Sequence, residues 1–244
     1  MIAKTWRPQH DPNPSEILHS AVDDTREGSH EQALAKLLWF HENALEIEPG
    51  LTGVRLSFAF GYWLDLASVY PPARDAFIRI RDETEAAFRE EPSNFNLFQD
   101  LASMNDRLGD GIRTAGLFAN VAERDRATAT RLYHVAEPHL IAAGQYHACG
   151  PFLDPNPRLE RAHNGYRTMK QHEEEAKTQY DIPIPQVARP LYVQNVATFV
   201  ALLVINDRAE DARNAYDVTL QVFNDDEFRM IMDTAMTGHL PAKP

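Results

Sequence analysis

The sequence predicts an all-α protein made of stacked antiparallel helical hairpins, with an irregular C-terminal third. Three observations carry that expectation. Apolar residues recur at helical spacing along almost the whole chain. Glycine is scarce, and no Asn-Gly or Asp-Gly pair joins two alternating segments as a β-hairpin would require. The sequence also registers on itself. A shift of 43 residues places Ala33 on Ala76, Leu34 on Phe77, Leu37 on Ile80, Ala44–Leu45 on Ala87–Phe88 and Pro49 on Pro92. Five ungapped coincidences in two helices of equal length indicate repeated hairpins.

Helices are predicted near 15–27, 29–47, 51–69, 71–90, 94–108, 111–123, 126–143, 157–177, 189–205, 208–222 and 225–237, with a short turn at 145–151. The punctuation between them is physical. Ser15 follows Pro14 as a candidate N-cap, its hydroxyl able to accept from the free N–H groups of the first turn. Gly28, Pro49–Gly50, Pro92–Ser93, Gly109 and Gly144 fall between the apolar runs, where a helix must stop. Pro138 lacks an N–H and is expected to kink or break the seventh helix. Beyond Gly150, five prolines (Pro155, Pro157, Pro183, Pro185 and Pro190) interrupt the pattern. The expected organisation is an N-terminal arm at 1–14, hairpins over 15–153, and a helical region at 154–244 packed on them.

A chain of 244 residues with 43% hydrophobic residues has enough apolar material for a sizeable core. Its 24 Lys and Arg stand against 36 Asp and Glu, a formal charge of −12. That balance argues against a nucleic-acid backbone or an anionic membrane surface as partner, and for a neutral or basic one. The single cysteine, Cys149, excludes an internal disulfide framework and suggests a reducing, cytoplasmic setting. The first residues lack the apolar stretch of a secretory signal. The longest uncharged run, 191–206, is shorter than a spanning helix of about 20 residues and is expected to be a core helix.

Gly28-x-His30-x-x-Ala33 and Ala44–Leu45…Pro49 match the start and end of one helix of a known repeat, and Gly144-x-Tyr146-x-x-Cys149 matches the start again. On these residues the chain resembles the tetratricopeptide-like superfamily over roughly 15–150, with a weaker echo at 190–222. The resemblance implies an α-solenoid whose inner wall, made by the first helix of each hairpin, binds another protein or peptide. The repeat is longer than that family's: Ala33 and Ala44 stand about one helical turn further apart, and the period falls among HEAT-like repeats of ~40–47 residues.

Five residues are the candidate binding wall. Asn96, Gln99 and Ser103 turn away from the apolar stripe Leu97, Phe98, Leu101, Met104 and Leu108. Arg55 and Trp63 lie on the equivalent helix one period earlier. Amides, a hydroxyl, a guanidinium and an aromatic ring suit an extended peptide. The basic clamp for an acidic C-terminus found in the family is not evident.

Two further helices carry polar groups in apolar surroundings. His41 falls within the apolar stripe of helix 29–47 and is expected to be a buried, hydrogen-bonded core histidine. Trp39 points the other way, towards an N-terminal arm holding Trp6 and Pro8. In helix 51–69, Val54, Phe58, Tyr62 and Val69 form one apolar face, while Leu56, Phe60, Trp63 and Ala67 form the opposite one. A helix apolar on both sides is expected to be buried between neighbours. Asp65 lies on the first face, so a buried carboxylate is expected, with Arg55, Arg79, Arg81 or His41 as partner. A pocket using His41 and Asp65 is the enzyme alternative. A structural subunit pairing through 189–237 is a third possibility.

Catalytic signatures are absent: no glycine-rich phosphate loop, no Gly-x-Ser-x-Gly and no Cys-x-x-Cys. His30–Glu31 and His41–Glu42 lack the second histidine of a zinc helix. His134, His139, His147, His163 and His172 fit no standard ligand spacing. Neither a cofactor nor a metal is expected.

Overall fold

A computed structural model describes residues 6–179 and 185–242. It is all-helical, 81% helix, with no strand among the described residues. The chain divides into two compact units, Met1–His139 and Leu140–Pro244.

The first unit opens with α1 (Pro14–Glu27) and α2 (His30–Ile47). The N-cap of α1 is Asn13 rather than Ser15: its side chain accepts from the N–H groups of Ser15 and Glu16, and Pro14 takes the first helical position, where a missing N–H costs nothing. Gly28 ends the helix in the left-handed region, with φ at 81°, which costs a residue with a Cβ far more than glycine. The third predicted helix is composite. It comprises a 3-10 turn at Pro49–Leu51, α3 (Thr52–Val54), a π-helical turn at Arg55–Ala59 and α4 (Phe60–Val69). It is succeeded by α5 (Pro71–Glu90), α6 (Phe95–Leu108), α7 (Gly111–Arg124) and α8 (Arg126–Ala142). The helix α8 runs through Pro138 unbroken, so the expected break is absent.

In this unit α1 packs on α2, α2 on the π turn and α4, α4 on α5, α5 on α6, and α6 on α7. Each helix thus buries its stripe against its neighbours in sequence. The core gathers Ala33, Leu37, Phe40, Phe60, Trp63 and Phe77, with Phe60 and Trp63 each meeting Phe77 edge-on at 5.4 Å. Ala33 and Ala44 are fully buried, as close-packed positions should be. Ala87 is exposed, which corrects the register expected from the self-match. The buried residues of α5 equivalent to Ala33, Leu37 and Phe40 are Ala73, Phe77 and Ile80, three positions earlier than that register places them. The contact expected of Trp39 is present: Trp6 packs edge-on against it with centroids 6.2 Å apart.

The second unit is built of helices that fall close to the spans expected from spacing. They are α9 (Tyr146–Cys149), α10 (Pro155–Gln179), α11 (Ala188–Ile205), α12 (Ala209–Thr219) and α13 (Asp226–Ala235). The helix α11 packs against all four of the others. It is long and apolar enough to cross a membrane by composition, yet most of it is buried within the protein, as a core helix. Its N-terminus has no side-chain cap of its own. Instead Glu173 of α10 accepts from the N–H groups of Val187 and Ala188, at 2.6 and 2.8 Å. Of the prolines expected to interrupt this region, Pro183 lies outside the described residues, whereas Pro190 sits in the first turn of α11, where it is tolerated.

Candidate functional site

The candidate wall runs along α6 and the composite helix before it. Within α6, Phe98, Leu101 and Met104 face the core, so the stripe through Asn96, Gln99 and Ser103 is turned outward. Asn96 is exposed and the other two are half-buried. None of the three side chains has a hydrogen-bond partner among the described residues, leaving two amides and a hydroxyl unspent. Asn94 caps α6 by accepting from the N–H of Leu97, and Gly109 closes it with φ at 72°. The stripe is therefore fixed at both ends.

Two contacts tie α6 to the π turn. Arg55 Nη2 donates to both carboxylate oxygens of Asp100, at 2.6 and 2.7 Å. Arg107 Nη2 donates to the carbonyl of Ser57 at 3.0 Å. Phe58, the next residue, projects into solvent with 61% exposure, its ring 6.4 Å from that of Tyr62. At the other end of the wall, Phe95 stacks on exposed His134 of α8 with ring planes 18° apart. Aromatic rings thus stand on the π turn bound to α6 and at the start of α6 itself.

Two of the five wall residues belong elsewhere. Arg55 is 9% exposed, and its charge is spent on Asp100 rather than Asp65. Trp63 is 1% exposed and donates its indole N–H to the carbonyl of Ala73 at 2.9 Å. Both hold the fold. Spacing explains their burial: Arg55, Ala59, Trp63 and Leu66 recur every three or four residues and so share one stripe of the helix. The face Val54, Phe58, Tyr62, Asp65 and Val69 becomes the outer one, while Arg55, Ala59, Phe60, Trp63 and Leu66 turn in. Burial on both sides, expected from the wheel, is corrected accordingly.

Asp65 is exposed, so the buried carboxylate expected there is corrected too. Glu85 and Glu137 are buried, and so is the acid that meets Arg55, Asp100. Burial pushes its carboxyl up, and the two bonds from Arg55 oppose that shift. His41 is half-buried, its ring 5.7 Å from Phe60 and 6.2 Å from Trp63. Its Nδ1 is buried without a hydrogen-bond partner, which corrects the expectation of a bonded core histidine. Burial, reinforced by the Arg55 guanidinium, lowers its pKa from 6.5 to about 4. Asp65 is exposed while His41 faces Phe60 and Trp63, and no hydrogen bond or ion pair among the described residues joins the two. The five clustered histidines form no metal-binding group among the described residues. His163 instead meets the hydroxyl of Tyr192, at 2.9 Å.

Sequence reasoning does not assign Phe58, Tyr62, Phe95 or His134 to the wall. A signal is present for the first two: Asp65 and Ser68 lie near the same side of the helix, and charge on an apolar face marks it as facing water.

No protein-family model and no curated protein matches the chain. One solved structure, the crystal structure of a "putative protein binding protein" from Bacteroides ovatus ATCC 8483, is 14% identical over 93% of this chain and 97% of that one. The TM-score is 0.22, too low for the likeness to bear on fold or function.

Proposed function

We propose that this chain is a helical-hairpin scaffold of the tetratricopeptide-like type that binds a protein or peptide, and acts by binding rather than catalysis. One observation carries the reading: the unspent amides of Asn96 and Gln99 and the hydroxyl of Ser103 stand on α6, which Asp100 and Arg107 bind to the turn that holds a phenylalanine, Phe58, out in water. An amide side chain offers a donor and an acceptor in the arrangement that a peptide bond complements. An exposed aromatic on the turn bound to the same helix supplies the apolar anchor that such interfaces use. The hairpin-by-hairpin packing of α1 to α7 supports a solenoid. The charge of −12 favours a neutral or basic partner over nucleic acid or an anionic membrane, and the lone buried Cys149 suits the cytoplasm.

Panning a random peptide library displayed on phage, then measuring isotherms on selected peptides, tests this. Asn96, Gln99 and Ser103 replaced together by alanine, and Phe58→Ser alone, are each expected to weaken binding while the melting temperature holds. Failure to enrich any peptide, or affinities untouched by both variants, would overturn it.

A second reading, self-association through 189–237, draws on the exposed Leu191 and Met230, the latter 66% exposed. Light scattering across a concentration series distinguishes monomer from dimer, and Met230→Lys should dissolve a dimer of this kind.

A further inference from the structure

A cavity of about 350 Å³ lies where α5 leads into α6 and α7 into α8. Its floor is apolar: Phe88, Leu117 and Val121 are all buried, and the Phe88 ring backs onto Phe98 at 5.3 Å. Its rim is polar and carries Arg89, Ser93, Asn120, Arg124 and Asp125. The volume is that of a small-molecule site with an apolar body and a few convergent polar groups.

The unspent hydrogen-bonding capacity of the rim decides the charge of the ligand. Asp125 is committed: it accepts from the N–H of Thr128 as the cap of α8, and that bond holds its carboxyl below the usual range. Arg89 spends Nε and Nη2 on Glu85, which also takes Arg113. Arg124 is exposed and has no partner among the described residues. In a chain of charge −12, this rim thus holds an uncompensated guanidinium with five donors above an apolar floor.

We propose that this cavity binds a carboxylate carried on a small apolar body, with the body on Phe88, Leu117 and Val121 and the carboxylate on Arg124, assisted by the Ser93 hydroxyl. A guanidinium pairs with a carboxylate through two parallel N–H···O bonds, which selects this head group over a neutral one. The same chemistry is offered by a free organic acid and by the last residue of a polypeptide.

The test is a titration of the whole chain, read by backbone amide shifts, with phenylacetate, phenylacetamide and 2-phenylethylamine. The peptide acetyl-Gly-Gly-Phe, with a free or an amidated C-terminus, forms a further pair. Phenylacetate is expected to shift Ser93, Leu117 and Val121, with the amide and the amine inert. Arg124→Gln is expected to weaken binding about tenfold, since a charge-assisted pair is lost. Asn120→Trp, at an exposed rim position, should block the mouth while leaving the fold intact. Tighter binding of the peptide acid than of phenylacetate assigns the ligand to a chain terminus, and the reverse order assigns it to a free acid; both uphold the carboxylate site. An amine that binds as well as the acid, drawn by the carbonyl ends of α5 and α7, overturns the proposal. So does the absence of any shift, or an Arg124→Gln variant, folded by its melting curve, that binds like the parent.

Discussion

Arg55 and Asp100 form a bidentate ion pair across 45 residues of sequence, with both side chains 10% exposed. The pair fastens the π turn to α6 and so sets where Phe58 stands relative to the stripe of Asn96, Gln99 and Ser103. Removing one partner leaves the other charge buried and unpaired, at a cost of about 3–5 kcal/mol. Asp100→Ala is therefore expected to lower stability to urea by that order. Arg55→Met with Asp100→Leu should be far less damaging than either single change, because no buried charge remains. Equal losses from the single and double variants would show that the pair does not act as a unit.

His41 makes stability depend on pH. Its folded pKa is about 4 against 6.5 for the free side chain, so the fold favours the neutral ring. The unfolded chain takes up its proton first as pH falls. The contribution is complete above about 6.5 and is lost progressively between about 6.5 and 4. Urea midpoints at a series of pH values should fall through that window. In His41→Phe the same series should be flatter, and an unchanged slope would assign the effect to another group.

The two alanines matched by the sequence shift should behave differently. Ala44 is wholly buried and Ala87 is exposed. Ala44→Glu places an unpaired charge in the core and is expected to cost several kcal/mol. Ala87→Glu should stay within ~0.5 kcal/mol, as surface changes do. Thermal melts of the two variants decide between this register and the one read from sequence.

Gly150 tests the second unit. A Cβ built there would collide with Oδ1 of Asn206, and Asn206 is itself held by the carbonyls of Tyr146 and Leu202. The Asn206 side chain cannot withdraw without breaking those bonds. Gly150→Ala is expected to destabilise by about 1–3 kcal/mol, the usual cost of overpacking. A wild-type melting curve would mean that the amide has room to move.

By itself the sequence determined the all-helical class and nearly every helix end. These are local matters: spacing of apolar residues, a capping Asn or Asp, a glycine at positive φ, and prolines that cannot continue a helix all act within a turn or two. It also led to the outward stripe of α6 and to the contact of Trp39 with the arm. The tertiary structure decided which face of the composite helix is buried, because both faces are apolar and only the neighbouring helices show which one they cover. It decided that Arg55 and Trp63 hold the core, since their partners, Asp100 and Ala73, are brought near only by packing one helix on the next. The repeat register was settled in the same way: alanine suits a crowded helix contact and an exposed surface equally well, and only the neighbouring helix shows which of the two Ala87 occupies.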